Sequence, residues 1–447
     1  MNHLDNLVKI YWEAVHAVDP KKLIAARVKK KGGTLVIDYP EGAIFEDLSR
    51  YREIIILGIG KASARMAAAM ELVLDDEITH GFVITKYGHA VPTQKIKVLE
   101  AGHPIPDENS LRGAETLAQI AREADDKTLI INLISGGGSA LFCLPAGDVT
   151  LADKIQTTRL LLACGADIDE MNCIRKHLSR VKGGGLAKIA YPARLVNLIV
   201  SDVIGDRIDS IASGITAPDP TTFSNALAIV RKYSLEDKFP PAVTEHLMRG
   251  ERGIIPETPK QGEPAFKNTI NAILGNNTLA CQAALKQAQA LGYNAHVLTT
   301  TLTGEASEAG IMLAQMAGGL IAGKNNSTNK SMLISGGETI VTIRGEGKGG
   351  RNQEMALAFA CELHRLQPGT QNVYFLSAGT DGSDGPTDAA GALVNPELME
   401  EMKNIAGTAK AHLAQNDSYN FFAKTGCLFQ TGPTYTNVCD IQILTVV

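Results

Sequence analysis

The chain has 447 residues and a mass of 47.6 kDa, which is long enough for two or three domains. With 45% hydrophobic and 20% charged residues it has the composition of a folded globular protein, so a disordered chain and a long coiled coil are excluded. A formal net charge of -5 gives no global attraction to nucleic acid or to anionic lipid. We therefore expect a small-molecule partner, without nucleic acid and without a membrane.

The cysteines and the N-terminus indicate the compartment. The seven cysteines are scattered without a C-x-x-C pair, which favours reduced structural thiols and argues against a zinc site. The first 20 residues carry apolar side chains at helical spacing, interrupted by Asp5, Glu13 and Asp19. This pattern predicts an amphipathic helix rather than a signal peptide, and we expect a cytoplasmic protein.

From residue 52 onward, short apolar strands alternate with helices. The predicted order is a strand at 53–57, a helix at 61–74, strands at 81–86 and 97–101, a helix at 110–125 and a strand at 128–134. Such alternation is typical of an α/β fold with a Rossmann-like parallel sheet covered by helices on both faces. Ligands of these sheets bind at the carboxyl ends of the strands, so the loops after strands are the places to search.

The stretch 249–267 is rich in glycine, proline and charge, and it is a candidate linker or long exposed loop. After it the pattern resumes with the segment 271–277, a helix from Thr278 to Leu291, a strand at 294–300, a helix from Glu305 and apolar segments at 331–337 and 338–343. We predict two α/β domains, residues 1–252 and a smaller domain at 268–447, with the active site in the cleft between them.

The first candidate motif is GIGKAS, residues 58–63, which follows a strand and opens a helix. Gly58 and Gly60 would let backbone N–H groups face an anion, with Lys61 beside them. A dinucleotide site is the first interpretation, but position 63 is Ser where Gly or Ala is needed. The next strand also ends in Lys86, where NAD enzymes place an acid. A solvated lysine at a helix start is the alternative.

The second motif is SGGGS, formed by Ser135, Gly136, Gly137, Gly138 and Ser139 at the end of another strand. Three glycines permit close approach by a polyphosphate, and two serines can donate hydroxyl groups. The alternative is a tight strand-to-helix turn.

A cationic helix face is predicted within residues 170–185. At 3.6 residues per turn, Asn172, Arg175, Ser179 and Lys182 fall along one face, which could hold a carboxylate or phosphate. A solvated helix face is the alternative.

Aspartates follow two further strands. Asp202 and Asp206 come after the strand at 195–200, where a carboxylate can hold Mg²⁺ or accept a hydroxyl proton. Asp381 and Asp384 lie in TDGSDGPTD after the strand at 372–379; an EF-hand is excluded because its twelfth position is Ala392. A Mg²⁺-nucleotide site and a polar capped turn both remain open for this loop.

The segment 345–354, GEGKGGRNQE, places Gly349 and Gly350 before Arg351 at the start of a helix. A guanidinium at a helix N-terminus suits a phosphate or carboxylate, and Glu354 can hold it in place. A flexible hairpin followed by a surface arginine is the alternative.

Taken in order, these motifs resemble the glycerate 2-kinase family, whose C-terminal portion is the MOFRL domain. The resemblance extends from about residue 7 to the C-terminus. It includes GIGKAS, AGHPIPDENS, ISGGGSALF, EMNCIRKHLSRVKGGGLA, SDVIGDRIDSIASG, GKGGRNQEMALA, AGTDGSDGPTDAAGA and TGPTYTNVCD. One departure is Gly185, where family members commonly carry Arg.

The resemblance implies ATP-dependent phosphorylation of D-glycerate at its 2-hydroxyl, with Mg²⁺ as divalent cation. It places an essential lysine at Lys61 and an essential arginine at Arg351. From the positions described above, we expect Asp202 to be catalytic and Asn172, Arg175 and Lys182 to bind substrate. The metal candidates are Asp206, Asp381 and Asp384. The residues expected to bind ATP are Gly58, Gly60, Ser135, Gly136, Gly137, Gly138, Ser139, Gly349 and Gly350.

Some members of the family are labelled hydroxypyruvate reductases, so a nicotinamide dehydrogenase is the alternative activity, and a sugar-phosphate-sensing regulator without catalysis is a third. The sequence leaves open whether the chain forms a homodimer.

Overall fold

The computed structural model describes residues 3–322, 330–368, 370 and 372–447. The helices are α1 (His3–Ala17), α2 (Pro20–Arg27), α3 (Ser63–Leu74), α4 (Glu108–Glu123), α5 (Gly138–Leu141), α6 (Leu151–Ala163), α7 (Ile168–His177), α8 (Gly185–Ala190), α9 (Phe223–Lys232), α10 (Pro241–Glu251), α11 (Asn277–Ala290), α12 (Ala306–Ala322), α13 (Arg351–Leu366), α14 (Pro396–Ala414) and α15 (Ser418–Thr425).

The strands are β1 (Val28–Lys31), β2 (Thr34–Tyr39), β3 (Gly42–Asp47), β4 (Glu53–Ile59), β5 (His80–Lys86), β6 (Ile96–Ala101), β7 (Thr128–Ile134), β8 (Arg194–Val200), β9 (Thr269–Gly275), β10 (Asn294–Leu302), β11 (Ser331–Gly337), β12 (Val373–Gly379), β13 (Gly391–Val394), β14 (Leu428–Phe429) and β15 (Asp440–Val446). Among the described residues, no helix is both long enough and apolar enough to span a bilayer.

The chain divides into two compact units. The parallel-sheet unit is Pro20–Leu274, and the mixed-sheet unit combines the chain up to Asp19 with Gly275–Val447. The parallel-sheet unit contains a six-stranded sheet of order β6-β5-β4-β7-β8-β9 and a small antiparallel sheet, β1-β2-β3. Strands β6, β5, β4, β7 and β8 run parallel, and the predicted α/β fold with a Rossmann-like parallel sheet is confirmed.

Burial of the central strands shows that this sheet is covered on both faces. Every residue of β7 is buried, and so is every residue of β8 after Arg194. Since successive side chains of a strand point to opposite faces, a fully buried strand must have packed layers above and below it. Helices α4 and α8 contribute to the core on the sheet, with Leu117 and Leu186 fully buried.

The mixed-sheet unit has a six-stranded sheet of order β10-β11-β15-β12-β13-β14. The β10–β11 pair is parallel, while β11 and β12 both pair antiparallel with β15, so the C-terminal strand lies in the centre. Its core includes Phe359 of α13 and Phe375 of β12, whose rings stack with centroids 4.3 Å apart.

The boundaries differ from the sequence-based ones in two places. Helix α1, expected with residues 1–252, packs in the mixed-sheet unit against α11, and the Tyr11 hydroxyl donates to the Gly379 carbonyl at 2.7 Å. The candidate linker 249–267 is part of the parallel-sheet unit, where Thr258 Oγ1 donates to Asp219 Oδ2 at 2.9 Å. Composition does not reveal such tertiary contacts, which keep a Gly- and Pro-rich segment in place.

Two local expectations are corrected. The segment 338–343 forms no strand beside β11, because β15 occupies that edge; Ile340 makes a single bridge to Glu305. Helix α7 ends at His177 rather than continuing to the glycines near 183, so Ser179 and Lys182 lie beyond it.

We predict opposite effects of alanine at two glycines of α12. A Cβ atom at Gly310 would overlap the Met355 carbonyl of α13 and lie 3.0 Å from the Phe359 nitrogen, whereas Gly319 has open space around it. Gly310→Ala should lower the free energy of unfolding by about 1 to 3 kcal/mol through overpacking. Gly319→Ala, the matched control, should raise it by up to about 1 kcal/mol. Urea unfolding of both variants tests this; equal effects would contradict the close approach of the two helices.

Candidate active site

Three strands of the parallel sheet end side by side, and the candidate residues follow them. Ile59, Ile134 and Ile199 are paired across β4, β7 and β8 near the carboxyl ends of these strands. Lys61, the loop 135–139 and Asp202 come immediately afterwards, so parallel pairing brings them to one edge of the sheet. This is the edge at which open α/β sheets bind ligands.

The turn after β4 is closed by hydrogen bonds to its neighbours. The N–H groups of Gly60, Lys61 and Ala62 donate to Ile84 O at 3.1 Å, Gly136 O at 2.9 Å and Ser135 Oγ at 2.9 Å. In the structure these amides are therefore already used and do not face a phosphate. Gly58 lies inside β4, where a Cβ atom would be 3.0 Å from Val83 Cγ2; its role is packing.

Gly60 is required for this contact between loops. Its φ is +124°, and a Cβ atom there would overlap the Ser135 backbone and side chain. Gly136 is equally constrained, since a Cβ atom would overlap the Asp202 carboxylate. Glycine at both positions lets Lys61, the loop 135–139 and Asp202 approach one another.

The loop 135–139 retains free donors. Among the described residues, the N–H groups of Gly136, Gly137, Gly138 and Ser139 have no hydrogen-bond partner, and Gly137 has a φ of +84°. Successive unpaired N–H groups with one residue in the left-handed region form a concave anion-binding site. This loop can therefore hold a phosphate through its backbone.

His103 is a neighbour of the loop that residue-by-residue reasoning did not select. Its ring Nε2 lies 3.0 Å, and Lys61 Cγ 3.3 Å, from the position of a Cβ atom on Gly137. Burial, with the positive charges of Lys61 and Lys86, lowers the pKa of His103 to about 4. The imidazole is neutral at pH 7. His103 belongs to the AGHPIPDENS motif, which could have indicated it, but the spacing of residues in the sequence does not show where its ring lies.

The predicted substrate-binding residues do not all lie on one helix, because α7 ends before Lys182. Asn172 Oδ1 accepts from Ser213 Oγ at 3.2 Å, and Ser213 Oγ lies 2.8 Å from Ser139 Oγ. Lys182 Nζ donates to the Ser139 carbonyl at 2.9 Å. Burial is the main cause that lowers the pKa of Lys182 to about 7, and the positive charges of Lys154 and Arg175 contribute less. Asn172 and Arg175 lie three residues apart on α7, whereas Lys182 follows the helix and reaches the loop 135–139 from the turn after it.

Asp206 lies away from these contacts, in a short 3₁₀ turn with a φ of +55°. It lines a cavity of about 560 Å³ together with Asp209, Asp219 and Asn271. Asp219 already pairs with Lys176 at 3.3 Å.

In the mixed-sheet unit, Arg351 is held by carboxylates. Its Nε and Nη2 donate to Asp440 at 2.5 and 2.9 Å, and Nη1 lies 2.9 Å from Glu338 Oε1. Burial alone would lower the pKa of Arg351, but Asp440 and Glu338 raise it overall. Asp440 is fully buried at the start of β15, and it was missed because TGPTYTNVCD gives no spacing that links Asp440 to Arg351.

Asp384 caps the N-terminus of α13. Its carboxylate accepts from the backbone N–H groups of Asn352 and Gln353 at 3.1 and 2.9 Å, and from both side-chain amides. Burial raises the pKa of Asp384 to about 6, although these hydrogen bonds oppose the shift. A Cβ atom at Gly350 would overlap Asp384, and one at Gly349 would overlap Ser418. The glycine-rich loop therefore packs closely around a protein carboxylate.

Asp381 is better placed for a ligand. Its Oδ1 accepts from Ser383 N and Oγ at 3.0 Å. Asp381 Oδ1 and Asp440 Oδ1 lie 3.3 and 3.5 Å from the position of a Cβ atom on Gly379. Within the described ranges, no group of three or more His, Cys, Asp or Glu side chains could hold a metal ion by itself. Both oxygens of Asp440 accept N–H groups of Arg351, so Asp381 is the carboxylate of this pair that could contribute a ligand to Mg²⁺.

Comparison with known proteins identifies two family regions in the chain, the first of which includes most of α1. Residues 6–248 match the family described as a domain of unknown function, DUF4147, and residues 331–440 match the MOFRL family. The glycerate 2-kinase of Pyrococcus horikoshii is 40% identical over 440 residues, covering 98% of this chain and 96% of that protein. A putative hydroxypyruvate reductase of Agrobacterium vitis is 39% identical, covering 98% and 94%.

A solved structure shows the same fold. The crystal structure of glycerate kinase from Thermotoga maritima superposes with a TM-score of 0.83 at 37% identity, covering 99% of each chain. Similarity in sequence and structure over the whole length identifies this chain as a member of the glycerate 2-kinase family.

Proposed function

We propose that this protein transfers the γ-phosphoryl group of ATP to the 2-hydroxyl of D-glycerate, giving 2-phosphoglycerate and ADP. One observation carries the proposal: a run of free backbone donors, Gly136 to Ser139, lies beside both Lys61 and Asp202. Phosphoryl transfer needs positioning and charge neutralisation more than covalent chemistry, and this arrangement supplies both.

The phosphate donor is assigned to the loop 135–139. The free amides of Gly136 to Ser139 would bind phosphate oxygens, and the ammonium of Lys61 would offset the negative charge that they carry. The amides of the β4 turn are excluded from this role, because they already bond to Ile84, Ser135 and Gly136. Gly58 and Gly60 support the site through their packing.

The acceptor is assigned to Asn172, Arg175 and Lys182 on the other side of Ser139. The cations among them, Arg175 and Lys182, would bind the carboxylate of glycerate, which lies next to the 2-hydroxyl. A fixed carboxylate determines which hydroxyl faces the donor. Asp202 would accept the proton of that hydroxyl as the oxygen attacks phosphorus and the bond to the ADP oxygen breaks.

Arg351 and the aspartates of the mixed-sheet unit are assigned to the nucleotide and its metal ion. Mg²⁺, when bound, neutralises phosphate charge. Asp381 fits as a ligand because Ser383 donates to its Oδ1 alone, and among the described residues its Oδ2 accepts no hydrogen bond. Asp384 fits poorly because both its oxygens accept N–H groups. Arg351 holds Asp440 in a fixed orientation beside Asp381.

A nicotinamide reductase is the weaker candidate. Ser63 occupies the third position of the glycine motif, is fully buried and donates to Gly60 O at 2.7 Å. The helix start that would hold a dinucleotide pyrophosphate bonds instead to the loop 135–139. Assays with ATP plus glycerate and with NADH plus hydroxypyruvate separate the activities; turnover only in the second assay would refute the kinase.

We predict that Lys61→Ala folds normally but loses about 100-fold or more in kcat. A lysine beside the phosphate-binding loop stabilises charge in the transition state, and such a contribution is worth about 3 to 5 kcal/mol. Lys97→Ala removes an exposed lysine of the same sheet and should leave kcat within twofold. Steady-state kinetics and circular dichroism of both variants provide the test. Unchanged kcat in folded Lys61→Ala would remove Lys61 from the mechanism.

We predict that Arg351→Lys and Asp440→Asn each lower kcat/KM by about tenfold or more, since lysine cannot make two parallel bonds to a carboxylate. The double variant should be little worse than either single variant, because the two residues act as one unit. Arg365→Lys is the matched control, since Arg365 of the same helix bonds bidentately to Glu362 at the surface. If the losses in kcat/KM of the two single variants multiply in the double variant, Arg351 and Asp440 do not act together.

We predict that excess EDTA abolishes activity and that Mg²⁺ or Mn²⁺ restores it, since both cations prefer oxygen ligands. Asp381→Asn should raise the Mg²⁺ concentration needed for half-maximal rate, whereas Asp388→Asn, a control in the same loop, should not. Phosphorus NMR should identify 2-phosphoglycerate as product. Full activity in EDTA, or 3-phosphoglycerate as the sole product, would overturn the assignment.

A further inference from the structure

The motif AGHPIPDENS holds His103 in a well-bonded turn between β6 and α4. The Asp107 carboxylate caps α4 by accepting from the Ser110 N–H at 2.9 Å. The same carboxylate accepts from the hydroxyl of Tyr87, which follows β5, at 2.7 Å. These bonds join the turn to α4 and to the chain after β5, so the fold itself sets the position of His103.

The imidazole of His103 packs against the loop 135–139. Its Cδ2 and Nε2 atoms lie 2.9 and 3.0 Å from the position of a Cβ atom on Gly137, and Lys61 Cγ lies 3.3 Å from the same point. His103 and Lys61 therefore flank one backbone position. That position lies within the run of unbonded N–H groups from Gly136 to Ser139.

The ring of His103 keeps an unused hydrogen-bond donor. It is half-buried, and among the described residues neither ring nitrogen makes a hydrogen bond. The charged groups that face it are Lys61 and Lys86, with His89 beside them; burial first, and then these groups, lower the pKa of His103 to about 4. A neutral imidazole has one N–H donor. A donor that faces cations is suited to an anion from solution.

His89 shows how a histidine at the same edge of the sheet is used within the fold. Its Nδ1 lies 3.0 Å from the carbonyl oxygen of Lys61, and its backbone N–H donates to Glu100 Oε1 at 3.1 Å. The ring of His89 is therefore bonded to the turn after β4. His103 has no such bond to the protein.

We infer that His103 donates a hydrogen bond to the terminal phosphate of the nucleotide, the same phosphate that Lys61 neutralises. This inference rests on the proposed function and adds a residue to it. The terminal phosphate must lie within reach of Asp202, whose carboxylate lies against Gly136, next to the residue that His103 contacts. Lys61 supplies charge there, whereas a neutral imidazole supplies a directed N–H without a further charge that would repel Lys61. A directed donor orients the phosphorus for attack by the acceptor hydroxyl.

The test is calorimetric titration of the whole protein in Mg²⁺ with ADP and with adenylyl imidodiphosphate, an ATP analogue whose terminal phosphate is not readily transferred. His103→Phe keeps a ring but removes the N–H, and it should weaken binding of the analogue about tenfold or more and that of ADP less than about threefold. His103→Gln places an amide N–H near the position of Nε2 and should bind both ligands within about threefold of wild type. His80→Phe, at the opposite end of β5, is the control and should change neither affinity.

Kinetics and NMR provide two further readouts. His103→Phe should lower kcat/KM for ATP about tenfold or more and leave KM for glycerate within about threefold, because the lost bond is to the donor. The imidazole nitrogen-15 signals that are absent from His103→Gln identify His103 in the wild type. The analogue should shift these signals more than ADP does, a measurement that does not require the phenylalanine variant to fold.

Three results would overturn the inference. They are affinity for the analogue within twofold of wild type in folded His103→Phe, equal losses of affinity for the analogue and for ADP, and equal losses in the phenylalanine and glutamine variants. Equal losses for the two ligands would place His103 at an inner phosphate. A wild-type protein that binds neither ligand would refute the proposed function, whereas binding of both that is indifferent to His103 would refute this inference alone.

Discussion

The contact between the turn after β4 and the loop after β7 is the constraint on which the candidate active site depends. Gly60 touches Ser135, and Gly136 touches the Asp202 carboxylate, at separations that leave no room for a Cβ atom. Parallel pairing of β4, β7 and β8 sets the three segments side by side. The hydrogen bonds from Lys61 and Ala62 then fix the loop, while the amides of residues 136–139 keep no hydrogen-bond partner among the described residues. The amides of the turn after β4 are therefore bonded within the protein, whereas the amides of the loop after β7 are available to a ligand.

The buried charges of the protein fall into two classes. Arg351 is paired with Asp440, and Lys176 with Asp219, so within the fold each pair holds its two side chains in a fixed orientation. Lys154 and Lys182 are buried, each donates to a backbone carbonyl, and burial is the main cause that lowers the pKa of both. The distinction separates cations that are paired with a carboxylate from cations that donate to the backbone.

The sequence predicted the α/β architecture because strand and helix periodicities are local. It predicted the positions of Lys61, Asp202 and the loop 135–139 because these residues follow strands whose parallel order could be inferred. It could not predict Asp440 as the partner of Arg351, since 89 residues separate them and only the central position of β15 brings them together. The sequence also could not decide between a metal ligand and a helix cap for Asp384, because a carboxylate side chain can serve as either. The helical face proposed for Arg175 and Lys182 required a helix that in fact ends at His177.

Helix α1 belongs to a unit whose remaining residues begin at Gly275, and this discontinuity affects how the chain is synthesised and folds. The helix emerges from the ribosome before the parallel-sheet unit, yet the partners of its buried Leu7, Ile10 and Tyr11 lie in α11 and β12. At ribosomal speeds of 5–20 residues per second, the intervening segment takes roughly 10 to 50 seconds to appear. During that interval the parallel-sheet unit can fold as a continuous stretch, while the apolar face of α1 stays uncovered. Nascent-chain folding is therefore ordered, with the mixed-sheet unit completed only after β15, the last strand and the centre of its sheet, has been made.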